Sequence, residues 1–440
     1  MKNLKKLSDL SIFMVGIGGI SMSGLCKLLI SRGCNLIGSD TCPESKLSKL
    51  KDLGVVIYHN HSSDNVNKNI DLLVYSGAIK KDNPEIVMAK KLHIPVIERS
   101  KLLGWISQLY SNVISVAGTH GKTTTSSMIA HVFQSAGLCP TIHLGGECNN
   151  FNDSTVIGKS DYFIVESCEY RNSFRYLKPT LGVILNIEND HLDYYRNLKH
   201  IYKCFANYAR KSKSILISKD VNLTHKNCEI VNQDWKVMNI NANKILTNFD
   251  VYYKTVFFGT FKINMIGLHN VYNALFTIAV ANYFDIDKQI VLEALNTFTG
   301  VKRRYENIGQ ICDIPIIIDY AHHPTEISTS VNGLKSVYDN ILYVFQPHTY
   351  SRTKTLMNDF VTVLSGLNNI TIFKTFPARE DEIIGGRCID LFNKINNLNK
   401  VYFSDINNLV SFIKDNTFKY DAVLILGAGD LGEIIKSYLD

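Results

Sequence analysis

The chain of 440 residues has no CxxC pair and no even ladder of cysteines; its ten cysteines are scattered. That spacing speaks against a disulfide framework or a thioredoxin-like redox pair, and for reduced thiols in a cytoplasmic protein. Long apolar runs are also missing, so no segment is expected to span a bilayer. The closest approach is the uncharged stretch from Leu10 to Cys26. Glycines and serines break it between Gly16 and Gly24 and no A-x-A site follows, so it reads as a buried strand and turn rather than an export signal. There is no arginine-rich arm and no aromatic-basic platform. The net charge of +7 suits anionic small molecules, while nucleic acid is not indicated. No Ser-His-Asp pattern or activated cysteine is recognisable, so no protein nucleophile is expected. With 45% hydrophobic and 20% charged residues, a chain of this length should bury two or three cores.

The most informative stretch is Asn112–Ala136. A β-branched run (Val113, Ile114, Val116) leads into Gly118-Thr119-His120-Gly121-Lys122-Thr123-Thr124, and a helical pattern follows through Met128, Ile129, Val132 and Phe133. Strand, glycine turn and helix make an anion cradle: the turn lets the backbone approach, N–H groups at the helix start point at the anion, and Lys122 adds a charge. The Thr123 hydroxyl is placed to ligate a Mg2+ that bridges phosphates. Val116 replaces the first glycine of GxxxxGK[ST], so the turn is a variant, and a plain βα turn with a solvated lysine is the alternative.

Before it, Ser11–Val15 reads as a strand, Gly16-Ile-Gly18-Gly19-Ile-Ser21 as a turn, and Asn35–Gly38 as a second strand ending in Ser39-Asp40. This is a βαβ unit with an acid about twenty residues beyond the glycines, where a ribose could be held, although Ser21 replaces the third glycine of the fingerprint. Strands at Leu72–Tyr75 and Val96–Ile97 complete a doubly wound domain, which could bind NAD or have an empty crevice. After the phosphate loop, strands at Asp161–Val165 and Leu181–Ile187 deliver Glu166 and then Glu188, Asp190 and His191. Glu166 and His191 could complete, with Thr123, the coordination of a hard cation. Lys213–Asp250 has weak periodicity and reads as peripheral strands and loops. Asn270 and Asn273 fall on one face at the start of a helix through Ala281, suited to an adenine edge or, for Asn270, to an N-cap.

Near Gly300 the pattern changes. Strands are expected at Ile314–Ile318, Ile341–Phe345, Thr371–Phe373 and Ala422–Leu426, with Asp319, His322, His323, His348 and Arg352 between them. The adjacent histidines lack zinc-ligand spacing. The closing Gly427-Ala-Gly429-Asp-Leu-Gly432 matches GxGxxG. Only eight residues follow it, so it reads as the last βα turn of a third sheet.

With GIGGISMSGL, AGTHGKTTT, ESCEYRNSF, NIENDHLDYY, GLHNVYNA, GVKRR, DYAHHPTE, FQPHTYSRT and GAGDLG in this order, the chain resembles the Mur ligase family from about Leu10 to its C-terminus. The beginning, GIGGISMSG, looks like the branch that joins L-alanine to UDP-N-acetylmuramate. The resemblance implies an α/β protein of three domains: a Rossmann-like UDP-sugar-binding domain (1–110), a central P-loop ATPase-type domain with a mostly parallel sheet (111–300) and a C-terminal Rossmann-like domain (301–440). By the resemblance, Gly118–Thr124 cradle ATP phosphates. Glu166 and His191 hold Mg2+, Asn270 and Asn273 meet adenine, Arg304 a phosphate and Asp319 the ribose. Gly18, Gly19, Ser21 and Asp40 hold the UDP-sugar, and His348 and Arg352 face the substrates. Catalysis would rest on Lys122, Glu166, His191 and Arg304. Many members carry E-A-D-E-S-D where this chain has Glu166-Ser-Cys168-Glu169-Tyr. The implied reaction activates a carboxylate as an acyl phosphate before the amine attacks. Two alternatives remain: a muropeptide-recycling ligase acting on the same UDP-sugar, and a nicotinamide oxidoreductase that uses Gly16–Asp40.

Overall fold

The apolar run Ser11–Val15 forms strand β1, buried on both faces as a central parallel strand requires. With β2 (Asn35–Ser39), β3 (Val56–Tyr58), β4 (Leu72–Tyr75) and β5 (Val96–Glu98) it makes an all-parallel sheet of order β3-β2-β1-β4-β5. The order reverses at β1, so the turn after β1 opens on the crevice of a doubly wound fold. The computed structural model describes residues 10–191, 194–243, 246–378 and 380–439. Leu192 and Asp193 of the NIENDHLDYY stretch, and the lysines at 2, 5 and 6, lie outside them.

The second sheet is built around β6 (Asn112–Ala117). It includes β7 (Thr141–Cys148), β8 (Asp153–Val156), β9 (Tyr162–Glu166), β10 (Leu181–Ile184), β11 (Ser214–Ser218) and β12 (Cys228–Val231), in the order β12-β11-β10-β6-β9-β7-β8. All neighbours here are parallel except β7 and β8. β6 thus lies between β10 and β9, and its carboxyl end meets theirs. The expected strand Leu181–Ile187 stops at Ile184: Leu185 N–H still donates to Ala117 O (3.0 Å), but the Asn186 side chain then turns to the loop after β6. Glu188, Asp190 and His191 therefore sit on a loop, and His191 has φ 55°.

By compactness the chain divides into two units. The first is Met1–Ile187, Lys199–Trp235 and Phe276–Ala294; the second is Glu188–Leu198, Lys236–Leu275 and Leu295–Asp440. The division falls within β13 (Trp235–Asn243) and within the helix Leu268–Tyr283. In the second unit β14 (Leu246–Tyr253) and β15 (Val256–Ile263) pair antiparallel. The third sheet has β16 (Glu306–Ile311), β17 (Ile314–Asp319), β18 (Ile341–Phe345), β19 (Ile370–Phe373), β20 (Lys400–Phe403) and β21 (Ala422–Leu426) in the order β16-β17-β21-β18-β19-β20, with only β16 antiparallel. Its two faces bury separate cores, one around Phe345, Phe360 and Leu424, the other around Val344, Leu409 and Ile425. The architecture is α/β in three parts with mostly parallel sheets. No helix among the described residues is long and apolar enough to cross a membrane.

In the first unit, helix Arg99–Ser107 lies against the 3-10 segment Tyr170–Tyr176. A Cβ on Gly104 would meet Tyr176 Cβ at 2.5 Å and its carbonyl oxygen at 2.6 Å, and a backbone neighbour cannot swing aside. Gly104→Ala should therefore destabilise the first unit by about 1–3 kcal/mol. The check is a thermal melt followed by the fluorescence of Trp105 and Trp235, both of which belong to this unit.

Candidate active site

The turn Gly118–Gly121 joins β6 to a helix, Lys122–Ser135. Gly118 (φ 149°) and Gly121 (φ 80°) take conformations that L side chains rarely adopt, and a Cβ on Gly118 would sit 3.1 Å from Leu185 Cβ. Asn186 holds the turn from the segment after β10: its Oδ1 accepts from His120 N–H (2.8 Å), its Nδ2 donates to His120 O (3.1 Å) and its carbonyl accepts from Thr119 N–H (3.2 Å). Gly121 at the N-cap offers no side-chain acceptor, so the first-turn N–H groups of the helix remain for an external anion.

The Lys122 ammonium folds back over this turn. It donates to Gly118 O (2.7 Å) and Thr119 O (2.9 Å) and pairs with both oxygens of Glu169, 3.2 and 3.0 Å away. Burial alone would depress the lysine; the carboxylates of Glu169 and then Glu166 outweigh it and hold its pKa above the ordinary value. Glu166, the last residue of β9, accepts from Gly145 N–H through Oε2 (2.7 Å), and its approach is close enough that a Cβ on Gly145 would meet it at 2.6 Å. Oε1 lies outside that bond. A carboxylate and the Thr123 hydroxyl are hard oxygen donors of the kind Mg2+ prefers, so this donor set fits the ion. Burial pushes the Cys168 thiol up to about 11, with Glu169 adding to it and Lys122 and Arg99 opposing.

At the first glycine turn, Ser39 O accepts from Gly16 N–H (2.8 Å) and Ile17 N–H (3.2 Å). Asp40 uses both carboxylate oxygens on the backbone, accepting from Gly18 N–H (2.8 Å) and Cys42 N–H (2.9 Å). Gly18 is needed there, because a Cβ would come within 2.5 Å of Cys42 Sγ. Gly19 ends the turn as the N-cap of helix Ile20–Ile30. Ser21 Oγ lies 2.8 Å from His143 Nε2 and accepts from Arg99 Nη1 at 2.6 Å.

The second unit gathers its own polar cluster. Asp190 accepts from His191 N–H (2.7 Å), lies 3.6 Å from His191 Nε2 and meets Arg352 Nη2 at 3.5 Å. Burial works against its charge, but His191, Arg352 and His322 hold its carboxyl well below the usual range. Arg352 Nη1 also donates to His348 Nδ1 (3.1 Å), and the His348 ring lies edge-on to His322 at 5.6 Å. His322 Nδ1 approaches Tyr320 O (2.9 Å) and Glu326 (3.3 Å), while His323 caps helix Pro324–Lys335 by accepting from Thr325 N–H. Arg304 faces Asp319 (3.8 Å) and Glu326 (3.9 Å) and stacks over Tyr320. Asp319 is buried and already accepts from Tyr305 N–H, Ala321 N–H and Ser330 Oγ; burial pushes it up, against Arg304 and these donors. Asn270 is not the N-cap but lies in the first helical turn, where Nδ2 donates to Ile266 O (2.8 Å) and Oδ1 accepts from Asn273 Nδ2 (3.0 Å).

Lys122 and Glu166 are thus brought to one site, and Asp319 and Arg304 to another. Gly18 and Asp40 share a third, with Ser21 in the first turn of the helix that leaves it. Sequence reading assigned no role to Glu169, Asn186, His143 or Arg99. Glu169 had one signal, an acid three residues beyond Glu166. Arg303, next to Arg304, has no mark in the sequence, yet its Nη2 clamps the last glycine turn through Gly427 O (3.2 Å) and Gly429 O (2.6 Å).

Removing Glu169 leaves the Lys122 ammonium buried without its counter-charge, and breaking such a pair costs about 3–5 kcal/mol. Glu169→Ala should lower stability by roughly that amount, read from the urea midpoint of tryptophan fluorescence. The second unit makes a pH prediction. An unfolded histidine takes up its proton near pH ~6.5, whereas burial holds His322 neutral down to about 4 and, with His322 and Arg352 beside it, His348 down to about 3. The unfolded chain binds protons first, so stability falls as pH drops from ~6.5 towards ~4. Hydrogen exchange of Ile341–Phe345 should accelerate between pH ~7 and ~5 after correction for intrinsic rate, and His348→Gln should flatten the trend.

Comparison with known proteins places matches along the whole chain. Residues 11–111 match a model described as Mur ligase family, catalytic domain; residues 116–281 match the Mur ligase middle domain, and residues 303–429 the Mur ligase, glutamate ligase domain. A UDP-N-acetylmuramate–L-alanine ligase of Clostridium tetani is 38% identical, over 98% of this chain and 97% of that protein. The crystal structure of a UDP-N-acetylmuramate-alanine ligase from Thermotoga maritima superposes with a TM-score of 0.83 at 27% identity, covering 98% of each chain. A murein peptide ligase from Psychrobacter arcticus shares the fold, with a TM-score of 0.72 at 24% identity and 98% coverage of each chain.

Proposed function

The chain belongs to the Mur ligase family, and on that premise we propose that it joins L-alanine to the lactyl carboxylate of UDP-N-acetylmuramate with ATP, a step of peptidoglycan precursor synthesis. The observation that carries this reading is the glycine turn between β6 and its helix, with Lys122 over it and Glu166 and Glu169 beside it. Full-length similarity to alanine-adding ligases supports the substrates. It favours neither the recycling ligase nor the oxidoreductase. The three-part division at about residues 110 and 300 is kept as part of the proposal.

An amide does not form from a carboxylate and an amine in water without activation. A carboxylate oxygen of the substrate attacks the γ-phosphorus of ATP, the bond to the β-γ bridging oxygen breaks, and ADP leaves. The alanine amine then attacks the acyl carbon, the phosphate departs with the electron pair of the C–O bond, and the ammonium sheds its proton to solvent. The turn contributes fixed N–H donors and a lysine. With Glu169 as its counter-charge when no phosphate is present, Lys122 stays protonated at any physiological pH and can exchange the carbonyls of Gly118 and Thr119 for phosphate oxygens. Mg2+, held by Thr123 and Glu166, would supply charge neutralisation on the phosphates. His191 is assigned to the same ion by family resemblance alone, as are Arg304 to a phosphate, Asp319 to the ribose, Asn270 and Asn273 to adenine, and His348 and Arg352 to the substrates. The Asp40 and Asp319 carboxylates already accept from backbone N–H groups. They act by shaping their turns, and any contact with a ribose uses a remaining lone pair. Ten cysteines with no disulfide among the described residues support a reducing, cytoplasmic setting.

Lys122→Ala should reduce phosphate release in the presence of ATP, UDP-N-acetylmuramate and L-alanine by about 100-fold or more, with the folded structure retained. A folded variant that turns over near the normal rate removes the loop from the mechanism. Phosphate release with glycine or serine at the wild-type alanine rate would instead broaden the assigned amine.

A further inference from the structure

Arg99 opens the helix Arg99–Ser107, directly after β5. A cation in the first turn stands at the positive end of the helix dipole. Among the described residues its guanidinium has one hydrogen bond, Nη1 to Ser21 Oγ at 2.6 Å, and no carboxylate within ion-pair distance. It is half-buried, and its charge reaches two neighbours: it adds to the burial that depresses His143 and opposes the burial that raises Cys168. A half-buried cation with one neutral partner lacks the counter-charge such groups acquire. Its partner Ser21 lies in the first turn of the helix that follows Gly16–Gly19, at the crevice beside β1.

Ser21 is backed by a chain of side chains. His143 Nε2 lies 2.8 Å from Ser21 Oγ, and His143 Nδ1 lies 3.0 Å from Thr155 Oγ1. Gly24 makes this approach possible, since a Cβ there would meet Thr155 Oγ1 at 2.2 Å and the His143 ring at 2.8 Å. Burial keeps His143 neutral, its pKa down to about 3, so the ring has one donor and one acceptor. With the proton on Nε2, Thr155 donates to Nδ1 and Nε2–H donates to Ser21 Oγ. The Ser21 oxygen then accepts from both His143 and Arg99, which leaves its own proton available to donate.

We propose that Arg99 and Ser21 form an anion-binding pair that takes an anionic oxygen of the sugar nucleotide, with His143 and Thr155 positioning the Ser21 hydroxyl. This rests on the UDP-sugar reading of the Gly16–Asp40 crevice. The anionic oxygen has two sources, the diphosphate and the lactyl carboxylate, and ligands that differ in them separate the two. Calorimetry on the full chain with UDP, UDP-N-acetylglucosamine and UDP-N-acetylmuramate, and with an ATP analogue as control, gives the test. Arg99→Gln should weaken UDP-N-acetylmuramate binding about ten- to hundredfold and leave the ATP analogue unchanged. Arg99→Lys, which keeps the charge, should stay within about tenfold of wild type. A loss shared by UDP identifies the diphosphate; a loss confined to UDP-N-acetylmuramate identifies the carboxylate. Thr155→Val removes the donor to His143 and should weaken the same ligand about three- to tenfold without changing ATP affinity, which tests the chain even if Arg99→Gln fails to fold. Wild-type affinity for all three ligands in a folded Arg99→Gln overturns the pair, and where Arg99→Gln does not fold, an unaffected Thr155→Val overturns it. Failure of the wild-type chain to bind any of the three overturns the reading of the crevice instead.

Discussion

The buried ammonium of Lys122 is the constraint on which the first unit depends. A charge withdrawn from water has to be met by fixed dipoles and an opposite charge. Here the carbonyls of Gly118 and Thr119 and the Glu169 carboxylate meet it. Those carbonyls point at the lysine because Gly118 and Gly121 adopt positive φ, and the turn keeps that shape because Asn186 binds both the N–H and the carbonyl of His120. Glu169 in turn lies on the segment that leaves β9, and β9 is the hydrogen-bonded neighbour of β6. The order of strands β10-β6-β9 is therefore what delivers each partner of the lysine to one place.

Turns at the ends of other strands are also fixed by long-range partners. After β1, the turn is pinned by Ser39 O and the Asp40 carboxylate from the end of the adjacent β2. After β17, Asp319 gathers the N–H groups of Tyr305 and Ala321. After β21, Arg303 holds the carbonyls of Gly427 and Gly429. A turn that must leave its N–H groups facing a ligand cannot satisfy itself, so a side chain fixes it: Asp40 after the adjacent β2, Asp319 as the last residue of β17, and Arg303 from the segment before β16. Rigid, open donors at the carboxyl edge of a parallel sheet follow from this arrangement.

How much of this could be read in the sequence depends on the range of the interaction. β1, β4 and β18 begin and end where the apolar runs do, since a strand buried on both faces is written as a continuous run. The glycine turns were equally legible, being local. β7 and β8 are not legible, because a strand such as Thr141–Cys148, with a threonine and a histidine in its buried first half and two glycines after it, has neither an apolar run nor an alternation. Leu181–Ile187 was read too long because Leu185 and Ile187 continue the apolar pattern, while the Asn186 side chain, which diverts the backbone, earns its role only from His120, 66 residues away. Glu169 and Arg99 were missed for that reason too: the partners that give them meaning are remote in sequence.

A further lesson lies in what the acids at the glycine turns do. Asp40 is marked as a ribose ligand by its spacing from a glycine turn and Asp319 by family resemblance, yet their carboxylate oxygens are engaged by backbone N–H groups. Spacing from a glycine turn selects an acid that can reach the turn, and an acid that can reach the turn also binds it. Arg99 keeps capacity: no spacing rule marks it, and it ends at Ser21 with no carboxylate within ion-pair distance among the described residues. Internal satisfaction consumes the groups a motif names. The groups with unmet charge at the mouth of the crevice are the ones on which recognition of an anion can act, because only there does a ligand replace a missing partner instead of displacing an existing one.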